Sequence, residues 1–299
     1  MTTVLLAGAT GVFGRHIVRV LDGAGYDILG LGRGSGNAVR ADINDREQLL
    51  AAVRGHRADI VIHAATALAR PPARHRDMTA TDTLRTVGMR NLVEAASVVG
   101  ASRMITENMI FGYGYGPHPG TLTEDSEFGP HQADRHLDAH VAAMRTKEEL
   151  TFGTPGLDGV SLRFGLFYGP GGTDPVVAML RKRMLPAPTS GGRVLPWVHL
   201  ADAADAVLAA IEHGRPGSAY NIVDHHPMSF GEQIRATATA FRTPKPMALP
   251  PAALAPMRLM YAMLKTDLRV DNTKAATELG FTPKYPSVAD GLAAMTGTA

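Results

Sequence analysis

The sequence predicts an α/β fold: a doubly wound parallel sheet with helices on both faces, joined to a smaller C-terminal region. Three observations predict it. A strand-length apolar run near the N-terminus breaks at a glycine-rich turn and passes into a helical pattern. Further short apolar runs then alternate with helix-length patterns, and such alternation implies a parallel sheet covered on both sides. Beyond about residue 170 the chain changes to glycine- and proline-punctuated segments.

Taken in order, Thr3-Val-Leu-Leu-Ala7 reads as the first strand, ended by Gly8. Residues 12–22 place Ile17, Val18 and Leu21 on one helical face, and Gly23 and Gly25 supply the stop signal. A second strand follows at 26–31. The runs at 60–63, 103–106 and 160–164 read as further strands, interleaved with helical patterns at 46–54, 84–99 and 140–151. Later we expect a helix at 201–213, a strand at 219–223 and a methionine-rich stretch at 255–264. The partition is a Rossmann-type dinucleotide-binding domain over residues 1–168 and a substrate-binding lid region over 169–299, part of which returns to the main sheet.

Composition narrows the class. With 299 residues and 45% hydrophobic content the chain can bury a substantial core. No stretch approaches the roughly 18 apolar residues that span a bilayer, and no basic segment leads into a cleavable apolar run. We expect a cytoplasmic protein without a membrane partner. The absence of cysteine removes disulfides, thiolate metal sites and a cysteine nucleophile, and agrees with a reducing compartment. A net charge of +2, mixed along the chain, offers no reason to expect nucleic acid.

The turn Gly8-Ala-Thr10-Gly11-Val12-Phe13-Gly14 carries the sharpest signal. Its first glycine permits the tight turn, its second lets backbone approach a pyrophosphate, and its third lets the helix pack close to the strand. The helix N-terminus then presents free N–H groups and a positive dipole end to phosphates. When the cofactor is NAD, an acid after the second strand holds the adenosine ribose. Here that place reads Gly30-Leu-Gly32-Arg33. Arg33, with Arg15 just after the third glycine, suits a 2′-phosphate, so NADP(H) is the expected cofactor and NAD(H) the alternative.

The chain resembles an extended short-chain dehydrogenase/reductase of the NAD-dependent epimerase/dehydratase family. Besides the turn, Ala41-Asp42-Ile43-Asn44-Asp45 is similar to the family's adenine-contacting segment. Asp59-Ile-Val-Ile-His63-Ala64-Ala65, with Thr66 following, is similar to the segment that passes beside the cofactor. Leu162-Arg-Phe-Gly-Leu-Phe-Tyr-Gly-Pro-Gly171, Trp197-Val-His-Leu-Ala-Asp202, Ala219-Tyr-Asn-Ile-Val and Leu279-Gly-Phe-Thr-Pro283 also match, in the family's order. The catalytic positions depart from the pattern. Aligned with the family's Tyr-x-x-x-Lys segment, the chain places His140 at the tyrosine and Met144 at the lysine, while Glu148 falls on the helix glutamate. The upstream Ser/Thr becomes Glu107 or Asn108. The resemblance is therefore to atypical members that keep the nucleotide fold without the usual triad, among them ketoreductases that tailor aromatic polyketide antibiotics.

The expected reaction is hydride transfer to the carbonyl of a large, apolar or aromatic small molecule. A donor must then meet the oxygen where charge develops. Asn108 can offer an amide N–H, His140 can donate or relay a proton, and Tyr113 and Tyr115 are phenols near the ligand edge. Each also has a plain structural use, and a proton supplied by substrate or water is the further alternative. An ionised Glu107 only accepts hydrogen bonds. His136 and His140 share a helical face at i, i+4, but no third ligand follows by spacing, so no metal is expected. The methionines at 257, 260 and 263 favour an apolar substrate, whereas Arg193 and Arg258 stand where sugar-nucleotide enzymes of the family can place diphosphate-binding arginines. Two other functions stay open beside reduction: a non-redox isomerase, lyase, epimerase or dehydratase of the same fold, and a nucleotide-sensing protein without catalysis. A homodimer is an expectation from the family.

Overall fold

A computed structural model describes residues 1–68, 71–189 and 193–297. Its centre is a seven-stranded sheet, entirely parallel: β1 (Thr3–Ala7), β2 (Asp27–Gly32), β3 (Val39–Arg40), β4 (Ile60–His63), β5 (Arg103–Met109), β6 (Asp158–Phe164) and β7 (Ser218–Ile222). The spatial order is β3-β2-β1-β4-β5-β6-β7. The chain therefore winds outward from β1 first one way and then the other, which opens a crevice at the carboxyl ends of β1 and β4.

Strand periodicity explains the layering. Successive side chains of β1 point to opposite faces. Val4 and Leu6 join a core with Ile17 and Leu21 of α1 (Val12–Gly23) and Val207 of the helix Leu200–His213. Leu5 and Ala7 join the opposite core, with Leu49 and Val53 of α2 (Arg46–Val53). On this second face α3 (Thr79–Thr83) runs through a π turn (Leu84–Gly88) into α4 (Met89–Val99), whose Leu92 and Ala95 are fully buried. α5 (Arg135–Gly153) follows, its first turn capped by the Asp134 carboxylate, which accepts from the His136 and Leu137 N–H groups.

β5 and the helices after β4 are longer than sequence periodicity suggests. The polar residues Glu107 and Asn108 look like the end of a strand, but both are buried with partners and stay in register with Leu162 and Arg163 of β6. The helix expected at 84–99 starts at Thr79, and that expected at 140–151 starts at Arg135.

The C-terminal part contributes β7 to the main sheet and builds the remaining wall. In chain order its helices are α6 (Asp174–Arg181), α7 (Leu200–His213), α8 (Phe230–Ala240), α9 (Arg258–Lys265), α10 (Thr273–Leu279) and α11 (Val288–Thr296). Ser229 and Glu232 form a reciprocal capping box at the start of α8. Separate small cores hold this region together, one around Tyr168, Trp197, Val288 and Leu292. Among the described residues no helix is long and apolar enough to cross a membrane.

Candidate active site

The glycine turn is shaped by close approach. Gly8 has φ +95°, and a Cβ there would lie 2.9 Å from the backbone of Ala64 and Ala65. A Cβ on Gly14 would collide with the Gly8 carbonyl oxygen. Only glycine lets α1 begin this near β1 and β4. α1 follows Gly11 as its N-cap, with no side-chain cap and no acidic residue in its first turn, so the leading N–H groups of the helix are free for an anion. These residues fit a dinucleotide pyrophosphate.

One cleft of about 920 Å³ extends from this turn. Gly8, Thr10, Gly11, Val12, Phe13 and Gly14 line it, as do Arg33, Asp42, Ile43, Ala64, Ala65 and Thr66. Arg15 is not part of the lining, and its Nη1 donates to the Thr10 carbonyl at 2.7 Å. Arg33 stands at the rim, its side chain 77% exposed and 3.8 Å from the Asp42 carboxylate. The far end of the cleft is apolar, walled by Met179, Met257, Met260 and Met263 with Trp197 and Phe230.

The residues named from the sequence for proton and oxygen chemistry are placed behind the wall. Asn108 is fully buried; its amide donates to the Met144 carbonyl at 3.0 Å, and its oxygen accepts from the Met109 N–H. The Tyr113 hydroxyl is hydrogen-bonded to Asn221 Oδ1 at 2.6 Å and accepts from Arg163 Nη1 at 2.8 Å. Burial pushes this phenol up to about 12. His140 is buried between two partners, with Nδ1 2.6 Å from Asp82 Oδ2 and Nε2 3.1 Å from His75 Nδ1. None of the three lines the cleft. His136 stacks on His75 at 4.9 Å, and the described residues hold no cluster suited to a metal ion.

Groups given little weight in the sequence occupy the wall itself. Met144 and Glu107 line the cleft, and Glu107 Oε2 is 3.0 Å from the Lys147 ammonium, which is fully buried one helical turn beyond Met144. Burial, with the nearby Arg85 charge, brings Lys147 down to about 8, and Glu107 opposes that shift. Arg85, from the π turn, and Tyr115, beyond β5, also line the cleft. The i, i+3 spacing of Met144 and Lys147 was a visible signal for Lys147; Arg85 had none, because an arginine in a helical pattern reads as solvated.

A Tyr-x-x-x-Lys spacing does occur in the chain, at Tyr261 and Lys265 of α9. Lys265 Nζ lies over the Tyr261 ring at 4.7 Å, and neither residue lines the cleft. α5 contains no tyrosine. Arg193 and Arg258 are likewise outside the cleft lining.

A parallel sheet of this order, with a glycine turn opening a cleft at its carboxyl edge, defines a Rossmann-type dinucleotide-binding protein. The chain belongs to the NAD dependent epimerase/dehydratase family, which it matches over residues 4–223. It is 35% identical over 307 residues to the 3-diazoavenalumate denitrifying reductase of a Streptomyces species, covering 97% of this chain and 98% of that protein. The human epimerase family protein SDR39U1, solved with NADPH, shares the fold at a TM-score of 0.82 and 18% identity, covering 100% of both chains. UDP-glucose 4-epimerase of Thermotoga maritima, solved with UDP-glucose, superimposes at 0.79 with 22% identity, covering 99% of this chain and 98% of that one. The family and the reductase relative together support an NAD(P)-dependent enzyme of oxidoreductase or epimerase type.

Proposed function

We propose that the protein is an NADP(H)-dependent ketoreductase that reduces a carbonyl of a bulky aromatic polyketide-type natural product, as a tailoring step in antibiotic biosynthesis. The observation that carries this reading is the continuity of one cleft, from the glycine turn to a wall of thioether and aromatic side chains. A flat polycyclic ligand matches that wall, because methionine adapts its shape to aromatic faces. The two arginines expected to hold a sugar diphosphate, Arg193 and Arg258, stand outside the lining.

Bound NADPH would supply a hydride to the carbonyl carbon. The turn and the α1 N-terminus would hold the pyrophosphate, Asp42 and Ile43 the adenine, and Arg33 the 2′-phosphate. Ala64, Ala65 and Thr66, which line the same cleft, would pass beside the dinucleotide. His140 acts as a positioning residue through Asp82. In its loss of the usual triad, as a pattern and not residue by residue, the chain resembles the angucyclinone ketoreductase of simocyclinone biosynthesis, and an angucyclinone-type ketone is the substrate class we assign.

The test is stoichiometry. Purified protein with NADPH and a polycyclic phenolic ketone should oxidise one cofactor for each alcohol formed. Product without net oxidation would replace this reading by an isomerase or lyase, and nucleotide binding without turnover by a sensor.

A second reading is favoured by the 35% identity to a denitrifying reductase. Hydride addition to an aryl diazonium carbon expels N2 and requires no proton donor at oxygen, which suits a site without a tyrosine on α5. Release of labelled nitrogen from a ¹⁵N-diazo cinnamate, together with NADPH oxidation, would establish it in place of ketone reduction.

A further inference from the structure

One charged group in the cleft wall lacks a full set of partners within the protein. Arg85 lines the cleft yet is only 3% exposed, and its Nε has no hydrogen-bond partner among the described residues. Its Nη1 lies 3.6 Å from Asp82 Oδ1, an oxygen that is itself buried without a hydrogen bond. The other oxygen of Asp82 is committed to His140, and His140 to His75. The carboxylate is thus anchored from behind and holds the guanidinium at the wall. Nε is sealed within the wall, so a ligand oxygen would meet the guanidinium at its terminal nitrogens, where a charge-assisted hydrogen bond is the strong kind.

Tyr115 stands in the same wall, its ring stacked on Phe111 at 5.0 Å. Burial raises its phenol and keeps it an O–H donor, while Arg85 is the charge that works in the opposite direction and favours the phenolate. Competing donors are committed elsewhere: the Asn108 amide to Met144, the Tyr113 hydroxyl to Asn221 and the Lys147 ammonium to Glu107.

We propose that Arg85 and Tyr115 form the oxygen-binding pair of the cleft, taking the carbonyl or phenolic oxygen of a polycyclic aromatic ligand. The substrate class rests on the ketoreductase reading. In that reaction hydride from the reduced nicotinamide adds to the carbonyl carbon, and the C=O π pair moves to oxygen beside the guanidinium. The Tyr115 O–H passes its proton to that oxygen, and water returns a proton to the phenolate. The pair is drawn from the π turn and the segment after β5, and does on other elements what a Tyr-x-x-x-Lys helix does.

The test is binding, so it does not depend on turnover. Trp197, the chain's one tryptophan, lines the same cleft and reports occupancy by fluorescence quenching. The probe is 1,8-dihydroxyanthraquinone, titrated with NADP⁺ present. Loss of a charge-assisted hydrogen bond predicts that Arg85→Met weakens the probe at least about tenfold, and loss of a neutral one that Tyr115→Phe weakens it about threefold. Arg85→Lys should recover part of the loss, and NADP⁺ affinity should stay within about twofold throughout. Should Arg85→Met fail to fold, Arg85→Lys and Tyr115→Phe carry the comparison. Wild-type affinity in the variants, or no binding by the wild-type protein, overturns the pair. NADPH oxidation with the same compound is read separately. Arg85-dependent binding without oxidation would leave the pair standing and remove the ketoreductase reading.

Discussion

Lys147 Nζ lies 3.0 Å from Glu107 Oε2, with the lysine wholly buried and the carboxylate in the cleft wall. The two residues come from α5 and β5, and their meeting explains how a strand edge beside the cofactor turn tolerates an acid. A buried pair of this kind adds little net stability, but breaking it from one side strands a charge. Lys147→Met should therefore cost about 3–5 kcal/mol in urea denaturation, and the Glu107→Leu/Lys147→Met double variant should recover most of that. Equal losses in single and double variants would mean that the two side chains act independently.

Arg33 and Arg15 were equivalent candidates for a 2′-phosphate, and their environments separate them. Arg33 is exposed beside Asp42 at 3.8 Å, a surface pair weak enough to be exchanged for a ligand. Arg15 is outside the cleft lining and donates to Thr10. Calorimetric titration of Arg33→Ala should show NADPH affinity reduced about tenfold or more with NADH nearly unchanged. Arg15→Ala should preserve the preference. A uniform loss for both nucleotides in Arg33→Ala would remove the phosphate assignment.

His140 connects Asp82 to His75 inside the protein. Replacing it with phenylalanine deprives the half-buried Asp82 carboxylate of its hydrogen bond, at a cost of about 1–3 kcal/mol. The expected result is a lower denaturation midpoint with dinucleotide affinity intact. An unchanged midpoint would show that Asp82 finds another partner.

Asp224 is 4% exposed, with Oδ1 accepting from the His226 N–H at 3.2 Å and Oδ2 buried without a hydrogen bond. Burial raises its carboxyl to about 8. The folded chain then holds a proton that the unfolded chain releases near pH 4, so this group's contribution falls as pH rises from about 4 to about 8 and is level above. Asp224→Asn removes that titration. At pH 8 the variant should be more stable than wild type by a few kcal/mol, roughly 5 at most, and near pH 4 the two should converge. Parallel pH–stability curves would contradict the raised value.

The fold was legible because its signals are local. Gly8 is required by its own positive φ and Gly14 by the carbonyl of Gly8 six residues earlier, and the apolar runs of β1 and β4 record burial on both faces of a sheet. The same locality made the glycine turn between β1 and α1 readable as a turn. β5 shows where locality ends: Glu107 and Asn108 look like loop residues until Lys147 and the Met144 carbonyl are brought to them from another element.

By itself, then, the sequence determined the sheet, the glycine turn and the family pattern, since these depend on periodicity and on residues close together in the chain. Only the tertiary structure decided which polar groups are free to meet a ligand. Asn108, Tyr113 and His140 carry suitable chemistry, but distant residues occupy their hydrogen-bonding atoms. Arg85, in the π turn that leads into α4, and Tyr115, beyond the carboxyl end of β5, lie 30 positions apart and meet in the wall of one cleft only through the fold. Availability of a donor is set by burial and by partners drawn from the whole chain, and no spacing rule within one segment contains it.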